Sequence, residues 1–230
     1  PEAGIANDLL TEQETTQDDR IIIALLLPLS RKETESGSQS LAWEVLEGVK
    51  YATDEFNFGR DNKIGLLVRS TLQSDDIRNI SNEIQANESV KIVLGPIFSS
   101  EVRVLLNELK NSDLAVISPT ATDDELVEVS DNFFQANPSF SQRGKVMANY
   151  IYFVEGKKKI GIINSIEGYS PLIASAFEDE FNKLGGKILF RDTFKYNSGI
   201  SSTGINKMKE FRNSLDGVFI PLSDKSEAPF

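Results

Sequence analysis

Residues 21–27, IIIALLL, form an unbroken apolar run rich in β-branched side chains. Such a run predicts a strand buried on both faces, the mark of a parallel sheet. The next apolar positions, Leu41, Val45, Leu46, Val49 and Ala52, fall at helical spacing and predict a helix over 39–56, ended by Asn57 and Gly59. The alternation then continues. Strands are expected at 64–68, 90–94 and 114–117, with a short extended piece at 132–135. Helices are expected from the Ser74-Asp75-Asp76 start to about 87, over 99–111 and, briefly, over 122–129. Beyond Asn137-Pro138 the pattern gives a helix over 139–154 and a strand at 159–163. A helix over 171–184 follows, closed by Gly185-Gly186. A strand at 187–190, a helix over 204–213 and a strand at 217–220 complete it.

This β-α-β-α order predicts an α/β protein with parallel sheets flanked by helices. Two complete series of βα units meet near 135–140. The expected organisation is a polar, acidic linker or tail over 1–20, an N-terminal lobe over 21–136 and a C-terminal lobe over 137–230. The longest apolar stretch is far shorter than the ~20 residues of a membrane helix, and no basic segment precedes it to make a signal peptide. An exported form would have lost its signal.

Composition narrows the chemistry. The 230 residues contain no Cys and no His, which removes thiolate or imidazole metal sites, a Cys nucleophile and a Ser-His-Asp triad. No phosphate-loop, dinucleotide or nucleophile-elbow motif is present, so no cofactor, no metal site and no catalytic residue are expected. A net charge of -11 repels phosphate backbones and speaks against nucleic acid.

In open parallel sheets, ligands sit beyond the carboxyl ends of the strands. Small hydroxyl residues leave three of those ends: Pro28-Leu29-Ser30, Gly95 to Ser100, and Ser118-Pro119-Thr120-Ala121-Thr122. Ser99 and Thr122 each stand at a predicted helix start, where hydroxyl and backbone N–H groups suit a carboxylate. The run Thr122 to Glu125 also reads as a capping box that only satisfies helix ends. Tyr169, after the strand at 159–163, reads equally as a cleft-facing aromatic or as a core anchor.

The segments IALLLPLS, GVKYATDEFN, IVLGPIFSS, AVISPTATDDEL and FFQANPSFSQRGKVMANYI cover much of the chain after residue 20. With 158–188 they resemble the type I periplasmic binding protein family, in its branched-chain amino-acid receptor branch. The resemblance implies two α/β lobes that close on a ligand between them. It places contacts to an amino-acid-like ligand on Ser99, Thr120, Ala121 and Thr122, with the second-lobe aromatic at Tyr169. The implied function is extracytoplasmic solute capture for an ABC permease or a sensor, in a periplasmic, extracellular or lipid-anchored protein.

Two loops depart from the family pattern. An acidic residue is missing at Ser70, and the first loop reads Ser30-Arg31 followed by a long polar insertion through Ser40. The family's chains are longer, so the second lobe is expected to be incomplete here, with the acid that grips a ligand ammonium outside these residues. The departures favour an alternative: a regulatory envelope lipoprotein domain that uses this fold to contact a protein, similar to activators of peptidoglycan synthases.

Overall fold

The computed structural model describes residues 20–30, 38–61, 63–72, 76–195 and 202–223. The expected tail, apart from Arg20, and the helix start at Ser74-Asp75 lie outside these residues, as does most of the polar insertion. The chain divides into two compact units, residues 1–137 and 138–230.

The first unit holds β1 Ile21–Leu27, α1 Ser38–Asn57, β2 Ile64–Ser70, α2 Asp76–Ala86, β3 Val90–Leu94, α3 Ser99–Glu108, β4 Ala115–Ser118 and β5 Phe133–Gln135. Its sheet runs β2-β1-β3-β4-β5, and each pairing is parallel. The apolar run of β1 now has its reason. Ala24 and Leu26 face one side, against Ile77, Ile80 and Ile84 of α2 and Val102, Leu105 and Leu106 of α3. Leu25 and Leu27 face the other side, against Ala42 and Leu46 of α1. Successive strand residues point to opposite faces, so a strand with helices on both sides needs apolar residues at every position. Asn57 closes α1 and fixes the return of the chain: its side chain accepts the N–H of Ile64 at 2.8 Å and donates to the Ile64 carbonyl at 2.9 Å.

The second unit holds α4 Phe140–Asn149, β6 Lys159–Ser165, α5 Ser170–Lys183, β7 Lys187–Phe194, α6 Ser202–Glu210 and β8 Gly217–Phe219. Among the described residues its sheet is three parallel strands, β7-β6-β8. Ile160 and Ile162 pack on Ala148, Ala174, Phe177 and Phe181, whereas Ile163 packs with Phe190 and Phe194 near Met208 and Phe211. Helix α5 ends in a Schellman motif: Gly185, at φ 90°, donates to the Asn182 carbonyl and Gly186 to that of Phe181. An L side chain at that φ is strained, so glycine belongs there.

Several expected boundaries move. β2 extends through Ser70, making Arg69 and Ser70 strand residues rather than loop. β7 runs four residues further than expected, to Phe194, along the full length of β6. The helix expected over 139–154 changes after Asn149 into a π-helical turn, Tyr150–Val154, in which Glu155 N–H reaches the Tyr150 carbonyl. The helix expected over 122–129 is a 3-10 segment, Asp124–Glu128.

Candidate functional site

The strand order of the first unit reverses around β1 and β3, and the loops after β3 and β4 leave the same carboxyl edge. Gly95 opens the first of these loops at φ 94°, and a Cβ there would stand 2.1 Å from the Leu26 carbonyl oxygen. Only glycine lets the loop turn this close to β1. Its N–H donates to the Ile117 carbonyl at 2.8 Å, carrying the β3–β4 ladder one residue past the strand end.

Hydroxyl groups then lace the two loops together. Ser118, fully buried at the end of β4, donates to the Pro96 carbonyl at 2.7 Å and accepts the Ala121 N–H at 3.2 Å. Thr120 donates to the Ile97 carbonyl at 2.5 Å. Ser99 Oγ accepts the backbone N–H groups of Thr122 and Asp123 at 3.2 and 3.3 Å. From β5 and the residues after it, Gln135 donates to the Ala121 carbonyl at 2.9 Å and Asn137 to that of Thr120 at 3.2 Å.

The four expected residues of this unit are thus brought together, in roles the sequence did not assign. Ala121 is buried and both its backbone groups are engaged, so its side chain faces the core. Ser99, Thr120 and Thr122 remain half-buried at the edge. The capping box is absent. Asp123, not Thr122, precedes the 3-10 segment, without a side-chain cap, and Glu125 turns to Arg103 at 3.3 Å. The physical reason is tertiary: Ser99 already takes the Thr122 N–H that the Glu125 side chain of a capping box would serve, and Arg103 takes the Glu125 carboxylate. Ser99 itself is the first residue of α3, with Phe98 in the preceding position.

Sequence reasoning missed two contributors. Ser118 belongs to a hydroxyl-rich loop in the sequence, which does not show it to be the buried link between the two loops. Glu101, in the first turn of α3, reaches Thr71 just beyond β2, where the Thr71 hydroxyl donates to its carboxylate at 3.3 Å. Thr71 is buried and its N–H donates to the Leu27 carbonyl at 3.0 Å. Burial pushes the Glu101 carboxyl above its ordinary value, an effect that the Thr71 bond opposes.

In the second unit, Tyr169 follows β6. Its ring stacks on Phe140 with centroids 4.3 Å apart and planes 8° from parallel, and its hydroxyl donates to the Ser223 carbonyl. Buried Ser170 ties the same loop together: it accepts the Ser165 N–H at 3.0 Å, donates to the Pro221 carbonyl, and its own N–H donates to Ser223 Oγ at 3.0 Å. Ring and hydroxyl of Tyr169 are both engaged within its own unit, as an anchor's would be.

A sequence model described as periplasmic binding protein matches residues 21–209. The Leu/Ile/Val-binding protein BraC3 of Rhizobium johnstonii is 25% identical over 173 residues, covering 72% of this chain and 45% of that protein. A Leu/Ile/Val-binding protein of Citrobacter freundii is 23% identical over 141 residues, 61% of this chain and 38% of that one. The chain therefore spans less than half the length of these curated relatives. Among solved structures, an ABC transporter substrate-binding protein from Sphaerobacter thermophilus superposes with a TM-score of 0.66 at 17% identity, over 88% of this chain and 55% of that one.

Proposed function

This chain belongs to the periplasmic binding protein family, and from that premise we propose that it serves an extracytoplasmic solute-binding protein that captures an amino acid or a similar small polar molecule. The captured solute would pass to an ABC permease or a sensor. The family is a binding family, and the proposed role is capture without catalysis.

The observation that carries the reading is the laced pair of loops after β3 and β4. Hydrogen bonds donated by Ser118 and Thr120 and accepted by Ser99 hold their backbones at the carboxyl edge of a parallel sheet, where this architecture takes ligands. The first N–H groups of α3 lie beside them and lack partners within the helix. Fixed donors of this kind suit a ligand carboxylate, and rigid loops reduce the ordering cost of binding. The Leu/Ile/Val-binding relatives support an amino acid as the solute.

A screen of the twenty L-amino acids by thermal shift tests this. A ligand at about a hundred times its Kd raises the melting temperature of a chain this size by about 5–10 °C. No shift with any of them would count against amino-acid capture.

A second reading has an observation of its own. Val146, Met147, Tyr150, Phe153 and Val154 are exposed along α4 and the turn that follows it. An apolar stripe of this extent is the kind of surface that contacts proteins. It supports an envelope domain that binds a protein partner, and on that reading no amino acid stabilises the chain.

A further inference from the structure

We propose that Glu101 makes the binding edge of the first unit selective for a solute that places a cationic nitrogen against it. This rests on the solute-binding reading above and adds the charge class of the ligand.

The position comes first. Glu101 lies two residues after Ser99 in the first turn of α3, and its carboxylate reaches across to Thr71, which follows β2 and is hydrogen-bonded to the end of β1. The carboxylate therefore sits at the carboxyl edge around which the strand order reverses, on the helix whose first residue ties the two loops together. A glutamate in a first helical turn is favoured by the helix dipole wherever it points. That preference explains its tolerance in α3 and does not explain why it turns to a buried threonine.

The electrostatics come second. Neighbouring carboxylates are matched by a cation: Asp123 and Glu125 share Arg103 at 3.7 and 3.3 Å. No Lys or Arg among the described residues pairs with Glu101; its one partner there is the neutral Thr71 hydroxyl. Burial has pushed its carboxyl upward, as expected of a half-buried carboxylate with no counter-charge among the described residues. A ligand cation supplies that counter-charge, and a ligand carboxylate in the same place is repelled.

An α-ammonium and a side-chain ammonium share this chemistry, so the experiment has two arms. Full-chain wild type and Glu101→Gln are titrated by calorimetry with L-leucine against 4-methylpentanoate, which lacks the α-ammonium. They are also titrated with L-lysine against L-norleucine, which lacks the side-chain ammonium. The expected result is that wild type prefers the cationic member of one pair by about ten- to hundredfold, the worth of a charged hydrogen bond. Glu101→Gln should flatten that ratio while the other pair is unchanged, and the pair that responds identifies the nitrogen. The ligand-free variant should melt no lower than wild type, because an uncompensated charge has been removed.

Ratios equal in wild type and variant overturn the assignment and leave solute capture standing. A ligand-free variant that melts lower and loses affinity for both members of each pair equally makes Glu101 structural, and overturns it too. No binding of any of these compounds, or of the twenty amino acids, by wild type overturns both readings.

Discussion

Ser99 and Thr122, twenty-three residues apart in sequence, are joined by a hydrogen bond from the Thr122 backbone N–H to the Ser99 hydroxyl at 3.2 Å, with the Asp123 N–H beside it at 3.3 Å. The bond runs from side chain to backbone, so the two residues are not equivalent. Ser99→Ala strips two half-buried N–H groups of their acceptor and should cost about 1–3 kcal/mol of stability. Thr122→Ala leaves the bond intact and should cost less than about 0.5 kcal/mol. Urea denaturation of both variants measures the difference. Equal losses would show that the threonine side chain supports the loop in its own right.

Ser118 is the more demanding position. It is fully buried and both donates and accepts, linking Pro96 of one loop to Ala121 of the next. Ser118→Ala leaves a buried carbonyl and a buried N–H without their partner, at a cost of about 2–4 kcal/mol. It should also weaken any ligand held by the two loops, since both are released together. Denaturation joined to a ligand titration checks this, and a stable variant with unchanged affinity would show that the loops are held by other contacts.

The strands were legible because burial on both faces writes itself into consecutive residues: IIIALLL in β1 needs no tertiary knowledge to be read. The hydroxyl-rich loops were legible as a group for a similar reason, since they follow apolar runs. Their wiring was not. Thr122-Asp123-Asp124-Glu125 satisfies the local rule for a capping box, but Ser99 arrives from another element and takes the Thr122 N–H that Glu125 would serve, while Glu125 turns to Arg103. Glu101 and Thr71 meet only because β2, β1 and β3 are neighbours in that order, which no local pattern encodes. Ser118 is legible as one of the small hydroxyl residues at a strand end. Its burial becomes visible only once β3 and β5 flank β4.

Gly95→Ala should be among the most damaging single substitutions in the first unit. The added Cβ would meet the Leu26 carbonyl oxygen at 2.1 Å, and the backbone already stands at φ 94°. Strain and clash together should cost about 3 kcal/mol or more. The displacement would act on β1 and on the loop that carries Ser99. A variant with wild-type melting temperature and ligand affinity would refute this.

Asp216 gives the second unit an acid-sensitive joint. Its carboxylate accepts the N–H groups of Lys158 and Lys159 at 2.8 and 2.9 Å, where β6 begins. Those two bonds hold its pKa below the ordinary carboxylate value, with the charges of Lys157 and Lys159 acting in the same direction. A depressed carboxylate stabilises the fold above its unfolded pKa, and that stabilisation disappears as pH falls through the lower, folded value. Asp216→Asn should therefore be less stable than wild type at neutral pH, and the gap should close on acidification. Melting temperatures of both proteins across the acid range test it. A gap that does not change with pH would assign the effect to the hydrogen bonds without the charge.

Tyr169 can be divided into its ring and its hydroxyl. The ring stacks on Phe140 at 4.3 Å, the Arg143 guanidinium stands 5.3 Å from the Phe140 centroid, and the hydroxyl reaches the Ser223 carbonyl. Tyr169→Phe keeps the stack and loses the hydroxyl bond, which should cost about 1 kcal/mol. Tyr169→Ala loses the stack as well and should cost about 3–5 kcal/mol. If the residue is an anchor alone, ligand affinity in Tyr169→Phe stays at the wild-type level while stability falls. If its hydroxyl also meets the solute, affinity falls in Tyr169→Phe beyond what its stability loss accounts for. Calorimetry on the phenylalanine variant, well below its melting temperature, separates the two. The engaged hydroxyl predicts the first outcome for any ligand group that must accept a proton there, because a group already donating to Ser223 has no second proton to give.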